Sequence, residues 1–218
     1  MEQNAAAENL QVIRTLMERS ALYRRTLAPI MTFTGVVGTA AACGAWVIVS
    51  ARGFVLFWFG VAVFCLLGSL MITRRQALKD AEPFWSPPTR RVIQAILPAL
   101  FAGLTIGVCV LVVFSRPPIA DPPTGSTEMD GMEWLPASWV VLYGCALHAA
   151  GFFTPRGLRW FGWVMAFCGL GVFVYVAATD CVQFPWWVSD ALMGFFFGVL
   201  HLTYGGYLYL TEKRKTAA

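Results

Sequence analysis

The stretch WWVSDALMGFFFGVLHLTYGGYLYL, from Trp186 to Leu210, decides how this chain folds. It is long enough to cross a bilayer as a helix, yet it contains an acid and a histidine, which hydrocarbon would penalise. At 100° per residue, one stripe of the helix holds the residues Asp190, Gly194, Phe197, Gly198, His201 and Gly205. A stripe of polar and small residues is expected to face protein rather than lipid. The stretch therefore predicts a membrane helix that packs within a bundle.

Composition indicates the same class of protein over the whole chain. Of the 218 residues, 58% are hydrophobic and 13% are charged, whereas roughly a quarter of the residues in a soluble domain are charged. A soluble fold could not bury this much apolar surface. The net charge is +4, but the basic residues lie at the ends of apolar runs and form no stripe that would bind nucleic acid. We therefore expect a multi-pass membrane protein without a nucleic-acid partner.

Six apolar runs are candidates for membrane-spanning helices. They cover residues 28–50, 53–73, 91–114, 138–153, 158–178 and 187–210, and the fourth run is the shortest. At ~1.5 Å per residue, each of the others matches a hydrocarbon core about 30 Å thick. The predicted fold is all-α, with residues 28–114 forming transmembrane helices 1–3 and residues 138–211 forming helices 4–6.

The basic residues indicate which way round these helices insert. Fourteen of the sixteen Lys and Arg residues lie on one side of the predicted bundle, and only Arg52 and Arg116 lie on the other. Because loops rich in Lys and Arg stay in the cytoplasm, both termini are predicted to be cytoplasmic, in the inner membrane of a bacterium. Residues 115–137 then form a solvated periplasmic loop rich in proline and acids, and residues 212–218 form a basic cytoplasmic tail.

The polar leader, residues 1–27, contains a candidate amphipathic helix. Apolar residues recur in it at helical spacing, and its remaining surface carries Arg14, Arg19, Arg24 and Arg25. Such a helix is typical of an anchor on an anionic inner leaflet, and the alternative is a docking helix for a cytoplasmic protein. Phe84 and Trp85, in the loop between runs two and three, suit the headgroup layer or a partner surface in the same way.

Three segments resemble uncharacterised bacterial multi-pass membrane proteins. They are VIRTLMERSALYRRTLAPI (Val12–Ile30), EPFWSPPTRRV (Glu82–Val92) and FGVLHLTYGGYLY (Phe197–Tyr209). The resemblance extends over most of the chain. It implies a six-span inner-membrane protein and carries no assigned activity.

The two halves of the chain also show a faint internal similarity. Runs three and six align without a gap, which pairs Gln94 with Asp190 and Thr105 with His201. Because each half has three spans, a duplication would give two inverted three-helix repeats, an arrangement common in small transporters. The alternative is chance matching among the Phe, Gly, Leu and Val residues that dominate both runs.

The polar residues inside the apolar runs are candidates for function. They could line a proton or substrate path, since intramembrane ionisable groups often mark such routes. The candidates are Asp190, His201, His148, Gln94, Thr105, Tyr143 and Tyr204. The two histidines are predicted to lie at depths within roughly 5 Å of each other. They could therefore ligate a b-type haem together, or each could bond a neighbouring helix and only fix the packing.

Small residues predict close contacts between helices. Gly194 and Gly198 are four residues apart in run six, and Gly35 and Gly38 give run one a similar small face. Such faces either close the bundle or build a homodimer. The chain contains no metal-type cysteine spacing, nucleotide-binding loop, zinc motif or serine elbow. No enzymatic activity and no metal site are therefore predicted.

Three functions stay open at this point. The first is a small transporter or channel-like protein with a polar intramembrane path. The second is a membrane scaffold or regulatory subunit, whose cytoplasmic partner would bind residues 1–27 and the EPFWSPP loop. The third is an electron carrier with haem held by His148 and His201, the only cofactor that the sequence suggests.

Overall fold

The computed structural model is described over residues 26–48, 50–79, 85, 87–115, 132–154, 157–179, 185 and 187–216, without the side chains of residues 87–88 and 212–216. Within these residues every regular element is a helix and there is no strand, so the all-α prediction is confirmed. The candidate amphipathic helix lies outside the described residues except for its last two. Phe84 and most of the loop at 115–137 lie outside them as well.

The helices follow one another with short connections. Helix α1 covers residues 26–44 and continues as a 3-10 turn, Ala45–Val47. It is followed by α2 (Ala51–Lys79), α3 (Pro87–Val113), α4 (Trp134–Ala150) and α5 (Gly157–Ala178). The last helix is continuous and has three parts, α6 (Trp187–Met193), a π segment (Gly194–Val199) and α7 (Leu200–Thr216).

Five of the described helical stretches are long and apolar enough to cross a membrane. They are Thr26–Val47, Ala51–Lys79, Thr89–Val113, Gly157–Ala178 and Trp187–Thr211. Helix α4 is apolar but shorter, at 17 residues. Long apolar helices in this number support the predicted class, an integral membrane protein in contact with lipid.

The helix ends differ from the bounds predicted by hydropathy. Helix α2 runs past residue 73 to Lys79, because Arg74 and Arg75 are good helix formers whose long side chains reach water. Helix α3 starts at Pro87 rather than residue 91, since a proline in the first helical turn needs no N–H partner. Helix α4 starts at Trp134, not residue 138, and ends at Ala150.

Helix α4 is the central helix of the bundle. It packs between α3 and α5, and the start of the last helix also contacts it. The indole of Trp139 stacks on Phe54 of α2 at 6.0 Å, and its Nε1–H donates to the carbonyl oxygen of Gly103 in α3 at 2.9 Å. Since protein surrounds most of α4, its backbone is shielded from lipid even though the helix is short.

The closest backbone contact joins α4 to α5. A Cβ atom added to Gly162 would lie 2.5 Å from the backbone nitrogen of His148, and one added to Gly144 would lie 2.5 Å from that of Ala166. Glycine at both positions therefore lets the two backbones touch, as is typical of membrane helix pairs. The sequence analysis did not single out either glycine.

The four glycines that the sequence did single out lie where α1 meets the last helix. A Cβ atom on Gly38 would lie 2.5 Å from the carbonyl oxygen of Phe197, and one on Gly198 would lie 2.5 Å from Oγ1 of Thr39. Gly35 faces Leu202 and Gly194 faces Ala42 in the same way. These faces are occupied within one chain, where they close the bundle.

The buried apolar core has two parts, and the last helix contributes to both. One part contains Phe54, Trp58, Leu135, Trp139 and Met193. The other contains Val140, Leu147, Phe161, Met165 and Phe196. A polar side chain of the last helix lies beside each part, Asp190 beside the first and His201 beside the second.

Candidate functional site

Two polar sites lie on the last helix, one on each side of the π segment. We define the Asp190 site as Asp190 with Trp58, and the His201 site as His201 with Tyr143 and the Phe196 carbonyl. Eleven residues separate Asp190 from His201 in the sequence, or roughly 16 Å along a helix that rises 1.5 Å per residue. The sites are therefore separate, and each has its own neighbours.

The His201 site is a completed hydrogen-bond chain. The imidazole is fully buried, with 0% of the residue exposed. Its Nδ1 lies 2.8 Å from the carbonyl oxygen of Phe196, and its Nε2 lies 3.1 Å from the hydroxyl oxygen of Tyr143. Because a carbonyl only accepts, Nδ1–H is the donor there, and in a neutral imidazole the Tyr143 O–H then donates to Nε2. Both ring nitrogens have a partner.

The bond to Phe196 follows from the π segment. The backbone N–H of Leu200 donates to the carbonyl of Phe195, five residues earlier, and α-helical geometry resumes in α7. A change from five-residue to four-residue spacing passes over one carbonyl, the carbonyl of Phe196. A buried carbonyl without a donor is unfavourable, so the side chain of His201 stabilises the end of the π segment by supplying one.

Aromatic rings enclose the His201 site. Phe161 meets the imidazole edge to face, with 5.2 Å between ring centroids, and Phe197 stacks on it at 6.0 Å. Tyr204 stacks on Phe161 at 4.5 Å, but its buried hydroxyl has no hydrogen-bond partner among the described residues. The structure thus brings His201, Tyr143 and Tyr204 into one aromatic cluster.

His148 lies apart from this cluster, against α5 and the end of its own helix. Its ring contacts Trp163 at 4.7 Å and Phe152 at 5.3 Å. Neither of the two histidine rings has the other among its ring contacts in the described part of the chain. A haem iron between them would also need a free nitrogen on His201, and both are engaged. This arrangement does not fit a haem held by the two histidines.

Gln94 and Thr105 lie on the exposed surface of α3. The hydroxyl of Thr105 donates to the carbonyl of Phe101 in its own helix, at 2.9 Å. Neither residue belongs to the Asp190 site or the His201 site. The predicted polar path therefore divides into two buried sites and a separate pair of surface residues.

The Asp190 site is only half satisfied. Asp190 is 4% exposed, and the indole Nε1–H of Trp58 donates to its Oδ1 at 2.8 Å. Its other oxygen, Oδ2, is buried and has no hydrogen-bond partner among the described residues. Sequence reasoning missed Trp58. The available signal was that an indole N–H in an apolar run needs an acceptor, and the six runs offer few.

A cavity of about 190 Å³ adjoins the Asp190 site, between the end of α1 and the start of the last helix. Thr39, Ala42 and Trp46 line it from one side, and Trp187 and Ala191 line it together with Asp190 from the other. Its wall is mostly apolar. The carboxyl of Asp190 is the only charged group in this wall.

Two further polar side chains are buried at this end of the bundle. Glu133, at the start of α4, is 1% exposed, and Ser189 is 0% exposed. The interpretation of residues 115–137 as a solvated loop is therefore wrong for Glu133, because the residue packs with the first turn of α4 instead of facing water. No group of three His, Cys, Asp or Glu side chains able to hold a metal ion occurs among the described residues.

Compared with known proteins, the chain matches no family model, no curated protein and no solved structure. The resemblance of its three segments to uncharacterised membrane proteins carries no function. The scaffold interpretation depends mainly on residues 1–27 and the EPFWSPP loop, most of which lie outside the described residues. The two buried polar sites are therefore the features from which a function can be inferred.

Proposed function

We propose that the protein is a small transporter or channel-like protein, and that Asp190 is the group that the solute or its coupling ion meets. The observation that carries this proposal is a carboxyl buried in an apolar helix beside a cavity, with one oxygen lacking a partner among the described residues. A buried carboxyl of this kind is unfavourable unless it takes up a proton or a cation. Intramembrane acids that exchange such ions are typical of transport proteins.

The proposal includes six crossings of a bacterial inner membrane, with both termini in the cytoplasm. At ~1.5 Å per residue, the 17 residues of α4 cover about 26 Å, and its protein neighbours shield it over that length. Arg74 and Arg75 are exposed near one end of α2 and Arg52 is exposed at the other. The excess of basic residues at the first end favours a cytoplasmic position there. Asp190 then lies near the periplasmic face.

The π segment supports a transport function because it makes the last helix irregular between its two polar sites. Extra residues in a helical turn occur often at functional sites. Many transporters use helices with an interrupted hydrogen-bond pattern at the level of the substrate. In this protein the His201 site stabilises the irregular turn at one end, and the cavity beside Asp190 adjoins its other end.

Inverted three-helix repeats are not needed for this proposal. The alignment of runs three and six pairs Asp190 with Gln94 and His201 with Thr105, yet the first member of each pair is buried and the second is exposed. The repeat stays a prediction from sequence. The transport proposal depends on the Asp190 site alone.

Flux across reconstituted vesicles tests the proposal. The full chain is reconstituted into proteoliposomes, and the entry of protons, Na⁺, K⁺ and methylammonium is followed under imposed gradients. We expect at least one probe to enter faster than into protein-free vesicles. The Asp190→Asn substitution should slow that flux by at least about tenfold, equivalent to ~1.4 kcal/mol in the barrier.

The matched control is Gln94→Leu, which replaces an exposed polar residue of another membrane helix. It should leave the flux unchanged, because Gln94 belongs to neither buried site. The proposal is wrong if none of the four probes crosses, or if Asp190→Asn transports at the wild-type rate.

A further inference from the structure

We infer that the cavity beside Asp190 binds a small primary alkylammonium ion, a cation with an –NH₃⁺ head and a short apolar tail. The inference rests on the proposed function, which it deepens by naming the class of substrate. It draws on three features of the cavity: its charge, its hydrogen-bond acceptors and its apolar wall.

Charge selects a cation. Asp190 is the only charged residue in the cavity wall, and no Lys, Arg or His lines the cavity. An anion would meet the carboxylate without a compensating positive group. A cation at the same place would pair with a carboxylate that is 4% exposed, where water screens the attraction weakly.

The acceptors select a head group with N–H donors. Trp58 occupies Oδ1 of Asp190, which leaves Oδ2 as an acceptor without a donor among the described residues. Thr39 also lines the cavity, and its hydroxyl hydrogen already donates to the carbonyl of Gly35 at 2.8 Å. The oxygen of Thr39 can therefore only accept a further bond. An –NH₃⁺ group has three donors and no acceptor, which suits two such acceptors.

The apolar wall selects a tail and disfavours an inorganic ion. Ala42, Ala191 and Val199 provide aliphatic surface, and Trp46 and Trp187 provide rings that attract a cation held near their faces. A hard metal ion such as Ca²⁺ takes about six or more oxygen ligands, far more than the side-chain oxygens of this wall supply. The volume of about 190 Å³ exceeds the about 150 Å³ of an engineered protein cavity that holds benzene. A tail of four carbons therefore fits.

Binding of n-butylammonium chloride to the full chain in lipid nanodiscs tests the inference. We expect saturable binding by calorimetry and a matching rise in the unfolding temperature. Asp190→Asn should weaken the affinity by at least about tenfold. Ala191→Leu, which fills the cavity from an exposed position of α6, should weaken it similarly, whereas the matched substitution Ala177→Leu on exposed α5 should not.

Three competitors separate the features of the ligand. n-Butanol carries the same tail without the charge, tetramethylammonium carries the charge without N–H donors, and Na⁺ carries the charge without a tail. Each should bind at least about tenfold more weakly than n-butylammonium, a difference of ~1.4 kcal/mol. Equal binding of any one of them overturns the inference, as does unchanged binding in Ala191→Leu.

The binding and flux experiments fail independently. If n-butylammonium binds in a manner that depends on Asp190 but no probe crosses the membrane, the site stands and the transport function falls. If protons or Na⁺ cross in a manner that depends on Asp190 but n-butylammonium does not bind, the transport function stands and the alkylammonium site falls.

Discussion

The two buried polar side chains of the last helix differ in how fully their hydrogen bonds are satisfied. Both nitrogens of His201 have partners, at 2.8 and 3.1 Å, whereas only one oxygen of Asp190 has a partner among the described residues. Proteins satisfy most buried polar groups, so a group left open calls for an explanation. The comparison teaches that His201 acts in packing, while Asp190 is free to act on a ligand.

Their surroundings differ in the same sense. Aromatic rings from α4 and α5 enclose His201, and its hydrogen bonds stabilise the π segment. Asp190 instead adjoins a cavity of about 190 Å³. A polar group in a closed cluster resists change, whereas one beside a cavity can meet a small molecule.

The largest effect is expected from the seam that holds both sites in place. Gly198 lies between them, and a Cβ atom there would be 2.5 Å from Oγ1 and 2.8 Å from the backbone nitrogen of Thr39. We expect Gly198→Val to push α1 off the last helix and to destabilise the protein by more than about 3 kcal/mol. The measurement is the yield of monodisperse protein in detergent and its unfolding temperature.

Gly206→Val is the matched control for this prediction. Gly206 belongs to the same helix, is exposed, and has no atom within 4 Å of an added Cβ. The variant should purify like the wild type. Equal behaviour of the two variants would mean that the α1 seam does not need glycine at position 198.

A smaller and more selective effect is expected from removing each polar group in turn. His201→Leu leaves the Phe196 carbonyl and the Tyr143 hydroxyl without their shared partner, so we expect it to lower the free energy of unfolding by about 2–4 kcal/mol. Asp190→Asn keeps an acceptor for Trp58 and removes a buried charge, so its effect should stay within about 1 kcal/mol. Reversible unfolding by titrated denaturing detergent measures both.

The two residues should exchange ranks when flux is measured in place of stability. Asp190→Asn should abolish transport in a folded protein, whereas His201→Leu should reduce transport only as far as it reduces the amount of folded protein. The comparison fails if His201→Leu is as stable as the wild type, or if Asp190→Asn unfolds it.

The class of the protein could be predicted from sequence because the signals are local. An apolar run, its length and its basic flanks are properties of neighbouring residues, and they gave the all-α membrane fold and the buried positions of Asp190 and His201. The partner Trp58 could not be predicted, because 132 residues separate it from Asp190. Only the packing of α2 against α6 brings the two together.

The π segment explains why periodicity misjudged the polar path. At 100° per residue, Asp190 and His201 fall on one stripe and should share their neighbours. A π turn holds more residues than an α turn, so it rotates α7 relative to α6. Asp190 consequently contacts α2 while His201 contacts α4. Three phenylalanines between two glycines do not announce such a turn in the sequence.

The smallest effect is expected from Thr105, the residue that the internal alignment pairs with His201. If the two positions were equivalent in structure, Thr105→Val would remove a hydrogen bond between helices and destabilise the protein by ~1 kcal/mol. Its hydroxyl instead bonds the carbonyl of Phe101 within α3, at an exposed position. We therefore expect Thr105→Val to change the free energy of unfolding by less than about 0.5 kcal/mol and to leave flux unchanged. A loss as large as that of His201→Leu would show that Thr105 faces a partner, either in a second copy of the chain or in another state of this one, and would restore it to the polar path.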